Sequence, residues 1–292
     1  MNEASGVGVL AIRARPAGRT RVSTTRTRTR QLGRRVAATC VAGLMAVTLS
    51  ALPRRAAVTA KRATTTLRIL ITDDDGNTTP GIDALFQALR LLPRTQIVIA
   101  MPATNQSGKG DTTTPGPHTG VRTTTPAGHP AYAVAGTPAD TVIWALAHLR
   151  RPQLVVSGVN NGQNLGALTK VSGTVGAART AARAGIPALA VSQGFGNPTL
   201  YGIAAHYAAR WVTSHRSIVL KPRRNAPILL QNLNVPTCAT GSVRAEVTVP
   251  LAATATDAVS PPDCTSTATH PADDITAFRE GYAVLSRLTT TS

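Results

Sequence analysis

Five short apolar runs alternate with stretches of helical periodicity, and this alternation limits the fold more than any other feature. The runs fall at residues 67–72, 96–101, 153–157, 187–192 and 228–235, each of strand length. Between the first two, Pro80 opens a pattern with Ile82, Leu85, Phe86, Leu89 and Leu92 at helical spacing. Thr137, Pro138, Ala139 and Asp140 start a second helix, with Val142, Ile143, Leu146 and Leu149 facing inward. Further helices are expected at 174–184 and 199–213. Strands regularly interrupted by helices imply an α/β fold with a doubly wound, mostly parallel sheet. Residues 102–130, rich in Thr, Pro and Gly, read as loop with room for a hairpin. Residues 237–273 read as irregular, with some strand near 243–249, and 282–288 closes the pattern.

The amino-terminal 60 residues do not share this pattern. Residues 1–35 are rich in Arg and Thr, and an uncharged apolar run of 17 residues follows from Val36 to Leu52. Small residues around Ala60 complete an export-signal pattern, so 1–60 is expected to be a basic leader and 61–292 the folded domain. Secretion after cleavage near Ala60 follows from this reading, with no stable membrane insertion afterwards. A retained anchor and a mis-assigned start are the alternatives. The formal net charge of +18 is concentrated in the leader, and residues 61–292 carry net +8. No basic helix or cluster of base-stacking aromatics accompanies it, so specific nucleic-acid recognition is not expected. Beyond the leader the cysteines are Cys238 and Cys264, either a disulfide or two thiols.

Open α/β sheets bind ligands beyond the carboxyl ends of their strands. Asp73, Asp74, Asp75 and Gly76 follow the first strand, Asn105, Gln106 and Ser107 the second, and Asn160 to Asn164 the third. Three adjacent carboxylates repel one another unless a cation neutralises them, and such oxygens suit one Mg²⁺, Mn²⁺ or Ca²⁺. The alternative is a solvated acidic turn. Ser172, Gly173 and Thr174 stand before an apolar helix, where exposed N–H groups form either an anion site or an ordinary cap. The Asn-rich loop likewise reads as a site or as turn formers. Acidic metal ligands beside an anion site suggest a phosphate ester.

The ordered motifs Thr72-Asp73-Asp74-Asp75-Gly76, Gly136-Thr137-Pro138-Ala139-Asp140, Ser157-Gly158-Val159-Asn160-Asn161-Gly162-Gln163-Asn164-Leu165-Gly166, Ser172-Gly173-Thr174-Val175 and Glu280-Gly281-Tyr282 resemble the SurE family of metal-dependent nucleotidases. The resemblance runs from Leu67 to Leu288. It implies a Rossmann-like sheet with a β-hairpin extension and hydrolysis of nucleoside 5′(3′)-monophosphates or other phosphomonoesters. It also implies metal ligands at Asp74, Asp75, Ser107 and Asn160, phosphate contacts at Ser172, Gly173 and Thr174, and catalytic roles for Asp74, Asn160, Asn164, Ser172 and Thr174. His270 and Asp274 are the candidate general acids. Asp73 stands where the family usually has Asn, and Ala103 and Gln106 also depart from its pattern. The C-terminal helix that members often exchange is absent, so a homo-oligomer formed that way is not expected. A member that binds phosphate without turnover and a cationic surface-binding protein are the other readings.

Overall fold

The computed structural model describes residues 65–221 and 227–291. The export-signal reading therefore lies outside the described residues. The chain runs through β1 (Leu67–Thr72), α1 (Pro80–Leu89), β2 (Thr95–Pro102), β3 (Gly120–Thr124), β4 (Pro130–Val134) and α2 (Pro138–His148). It continues through β5 (Leu154–Asn161), a 3-10 turn (Gly166–Lys170), α3 (Gly173–Arg183), β6 (Ala188–Gln193) and α4 (Tyr201–Val219). Last come β7 (Leu230–Val235), β8 (Arg244–Thr248), α5 (Asp274–Arg279) and β9 (Tyr282–Arg287).

The strands form one nine-stranded sheet in the order β3-β4-β2-β1-β5-β6-β7-β9-β8. From β4 to β7 every pairing is parallel, while β3–β4 and β7–β9 are antiparallel. The expected α/β architecture is present, and the hairpin is β3 paired antiparallel with β4, its second strand running beyond residue 130 to Val134. Alternation along β1 explains the layers. Ile69 and Ile71 face a core shared with α1 and α4, whereas Leu70 faces a second core shared with α2 and α3. Central strands buried on both faces need continuous apolar runs, which is why these strands were legible.

The scarcity of aromatics also has a structural outcome. Ala177, Ala178, Ala181 and Ala182 are all buried on α3, so that helix packs on the sheet through methyl groups. Between β7 and α5 the chain is irregular apart from β8, and a Cys238–Cys264 disulfide closes a loop of sequence separation 26 with Cα atoms 5.7 Å apart. Arg244 also lies over the Tyr282 ring, 3.9 Å from its centroid. Loop-closure entropy makes this disulfide worth about 3 kcal/mol. Reduction should lower the denaturant midpoint accordingly, and an unchanged midpoint would show that the irregular segment is held by packing alone.

Two features decide where a ligand can sit. The chain leaves β1 to build β2 on one side and later returns to build β5 on the other. This reversal opens a crevice at the carboxyl ends of three adjacent strands.

Candidate active site

Each strand delivers its polar residues to this crevice at the point where regular pairing ends. Asp73, Asp74 and Asp75 follow β1 directly, and the loop after β2 is tied to them by Gln106 N–H donating to the Asp74 carbonyl at 2.7 Å. Along β5 the register with β6 shifts between Ser157 and Asn160, an irregularity that re-aims the end of the strand. The resulting cleft, about 440 Å³, is lined by Asp74, Asp75, Ser107, Asn160, Asn164 and Ser172, among others.

The carboxylates are buried, which water-exposed turn residues would not be. Asp73, Asp74 and Asp75 are 1%, 3% and 6% exposed. None joins any of the ion pairs present among the described residues. Burial raises Asp74 to about 6; the Thr174 hydroxyl opposes the shift and the neighbouring charge of Asp75 adds to it. Asp75 is raised by burial against the Asn161 N–H, which donates to its Oδ2 at 3.1 Å. Asp73 is pushed well above the usual carboxylate range by burial and by both neighbours, while the Gly76 N–H favours its charge. Among the described residues neither Asp73 oxygen has a hydrogen-bond partner of good geometry. The solvated-turn reading therefore does not describe these residues.

Such uncompensated negative charge fits a divalent cation, and the donor set limits which one. Among the described residues no three His, Cys, Asp or Glu side chains gather as a metal cluster. Two carboxylates would need neutral oxygens, from Ser107 and Asn160, to complete a shell. An all-oxygen set of this kind suits a hard cation. The Asn160 side chain is oriented by its Nδ2, which donates to the Gly162 carbonyl at 2.6 Å, a bond that does not engage its amide oxygen.

The start of α3 differs from the expectation. Thr174 is fully buried, and its hydroxyl donates to Asp74 Oδ1 at 2.5 Å. Its N–H also favours the Asp74 charge. At Gly173 a β-carbon would lie 2.7 Å from Asp74 Cβ and 2.9 Å from its Oδ2. Glycine is needed there because the helix start packs directly on the carboxylate. The anion at this N-terminus is Asp74 itself, and the Thr174 hydroxyl, expected at a phosphate, here supports Asp74. Ser172 remains on the cleft wall. Its Oγ accepts the Val175 N–H at 3.2 Å, which leaves the hydroxyl hydrogen to donate to an anion.

The remaining expectations separate cleanly. Asn164 lines the cleft, but its Nδ2 donates to Ser192 Oγ at 3.0 Å, and Asn232 and Asn234 both donate to its carbonyl. Asp274 is wholly buried elsewhere, accepting the Gly166 N–H at 2.8 Å and the Ala252 N–H at 2.7 Å. It braces the loop after β5 and is corrected from general acid to structural anchor. His270 is exposed and does not line the cleft either. Asn105 and Asn161 were expected in the loops of the crevice but without a role of their own, and both act on Asp75. Asn161 acts on Asp75 through its main chain, for which side-chain identity gives no signal.

Comparison with known proteins decides the lineage. The family model for survival protein SurE matches residues 69–257. Over 193 residues the chain is 38% identical to 5′-nucleotidase SurE of Methanocella arvoryzae, covering 63% of this chain and 72% of that protein.

This chain belongs to the SurE family.

A shorter match, 45% identical over 131 residues, is to 5′-nucleotidase SurE 1 of Burkholderia lata; it covers 44% of this chain and about half (49%) of that protein. The crystal structure of SurE protein from Aquifex aeolicus aligns with a TM-score of 0.59 at 22% identity, covering 76% of this chain and 93% of that one. That likeness concerns the fold. The SurE match contains every residue of the cleft named above, from Asp74 to Ser172, and it stops before His270 and Asp274.

Proposed function

We propose that this SurE-family chain is a metal-dependent phosphomonoesterase acting on nucleoside monophosphates. One observation carries the reading. Asp74 and Asp75 are buried without a basic partner among the described residues, in one cleft with Ser107, Asn160 and Ser172. Relatives named 5′-nucleotidase support the substrate class.

A divalent cation held by Asp74, Asp75, Ser107 and Asn160 would polarise a phosphoryl oxygen and make water a stronger nucleophile. The chain's own groups prepare for this. The Thr174 hydroxyl and the α3 N-terminus hold Asp74 in one orientation, and the Asn161 N–H does the same for Asp75. Groups fixed in this way lose little entropy when the ligand arrives. Ser172 offers its hydroxyl hydrogen to a phosphoryl oxygen as negative charge develops. Asp74 and Asp75 are the titratable side chains lining the cleft among the described residues, so no separate side-chain acid is assigned.

Export remains part of the proposal. The Cys238–Cys264 disulfide supports maturation in an oxidising compartment. No helix among the described residues is long and apolar enough to cross a membrane.

The test is release of inorganic phosphate from nucleoside monophosphates with Mg²⁺, Mn²⁺ or Ca²⁺, with and without chelator. Activity should vanish on chelation and return with the metal. Cation at 100 times its Kd should also stabilise the fold by about 2.7 kcal/mol. No metal-dependent phosphate release from any monophosphate would overturn the proposal.

A further inference from the structure

The chain contains three Phe, two Trp and four Tyr, all within the described residues. Eight are buried or partly buried; Phe195 alone is exposed, at 55%. A protein so short of aromatic side chains has placed its one exposed ring at the mouth of the cleft. Two other exposed apolar residues line the same cleft, Val171 at 54% and Val259 at 63%. They come from three separate segments, after β6, before α3 and before α5. The cleft therefore has a polar floor at Asp74 and Asp75 and an apolar rim. An exposed apolar rim beside convergent polar groups is the form of a ligand site.

The rim is also fixed in place. Gln163 is 5% exposed, accepts the Phe195 N–H through Oε1 at 3.2 Å, and donates through Nε2 to the Ala258 carbonyl at 3.2 Å. One buried amide thus ties the Phe195 segment to the residue next to Val259. The tip of the Phe195 ring rests over Gly162, where a β-carbon would fall 2.3 Å from Cζ. Gly162 in turn donates its N–H to the Gln193 carbonyl at 2.8 Å. A ring held this way keeps an open surface toward the cleft without the entropy cost of ordering it on binding.

We infer that Phe195, with Val171 and Val259, is the specificity seat for the alcohol portion of the substrate, and that it selects phosphomonoesters whose alcohol carries a flat, π-rich ring. A nucleoside or aryl monophosphate spans the polar floor and the ring; a glycerol ester reaches the floor only. The inference rests on the phosphomonoesterase reading for its substrate, but its physical basis is stacking, which every base permits.

The experiment compares wild type with Phe195→Ala and Phe195→Trp. The first readout is the ratio of kcat/KM for adenosine 5′-monophosphate to that for glycerol 3-phosphate. The second is the ratio of Kd for adenosine 5′-monophosphate to that for inorganic phosphate, measured by calorimetry without turnover. Phe195→Ala should shift both ratios against the nucleotide by about tenfold or more, the size expected for one lost base-stacking contact. Phe195→Trp should restore them. Ratios unchanged within about twofold, or Trp behaving like Ala, overturn the inference. If no ester is hydrolysed but the Kd ratio still responds to Phe195→Ala, the hydrolase reading fails and the seat stands.

Discussion

Asp74→Asn is expected to abolish metal-dependent phosphate release, by on the order of 10³-fold, and to make the metal-free protein more stable. The two effects have one origin. Burial raises Asp74 from 3.8 to about 6. The folded, metal-free protein binds this proton at a higher pH than the unfolded chain does. Its charge therefore costs stability above about pH 6, and the cost is relieved as pH falls from about 6 toward 4. The size is about 2–3 kcal/mol at neutral pH. Asparagine keeps the shape and can still accept from the Thr174 hydroxyl, so the fold should persist. Thermal unfolding at pH 7 without metal should show the variant above wild type, and added Mn²⁺ should raise only the wild type. A variant that keeps its full rate would refute the ligand assignment. One that loses activity and stability together would show Asp74 to be structural.

The largest loss of stability is expected at Asp140, which touches no ligand. It is fully buried at the start of α2 and accepts from the Thr114 N–H at 3.1 and 3.2 Å, the Thr114 hydroxyl at 2.8 Å and the Thr137 N–H at 3.0 Å. His118 Nε2 lies 3.2 Å from Oδ1. Burial alone would raise this carboxyl, but the Thr137 N–H and the Thr114 groups outweigh it and hold the carboxyl below its ordinary range. Its contribution is therefore present at neutral pH and lost as pH falls through that lowered value. Asp140→Ala leaves several buried donors unpaired and should cost about 3–5 kcal/mol. For a domain of this size that lowers Tm by roughly 10 °C. A change of less than about 2 °C would show that water replaces the carboxylate without penalty.

Both residues were legible in the sequence, for unequal reasons. Asp140 follows Thr137 and Pro138 in a helix-start pattern that chemistry alone explains, and the observed capping box agrees with it. Asp74 was visible from its chemistry as one of three adjacent acids, which composition cannot tell from a solvated turn, and was singled out by the motif resemblance. The fold was legible because strands buried on both faces must be apolar throughout, as in β1 and β6. A hairpin was expected between 102 and 130, but the bounds of its strand β3 were not legible, because Gly120–Thr124 is largely exposed and carries no such run. Helix α5 was not, because six residues are too few to show a helical period.

The sequence by itself determined the alternation of strands and helices, the family to which the chain belongs, and the residues that strand ends could deliver to one crevice. Only the tertiary structure decided what each of them touches. It turned Thr174 toward Asp74, buried Asp274 away from the cleft, joined Cys238 to Cys264, and left Phe195 exposed at the cleft mouth. The division follows from range. Periodicity and capping act over a few residues and are written in local order. The Thr174 contact with Asp74 spans 100 positions and the Asp274 contact with Gly166 spans 108, so they exist only once the sheet has brought the strand ends together.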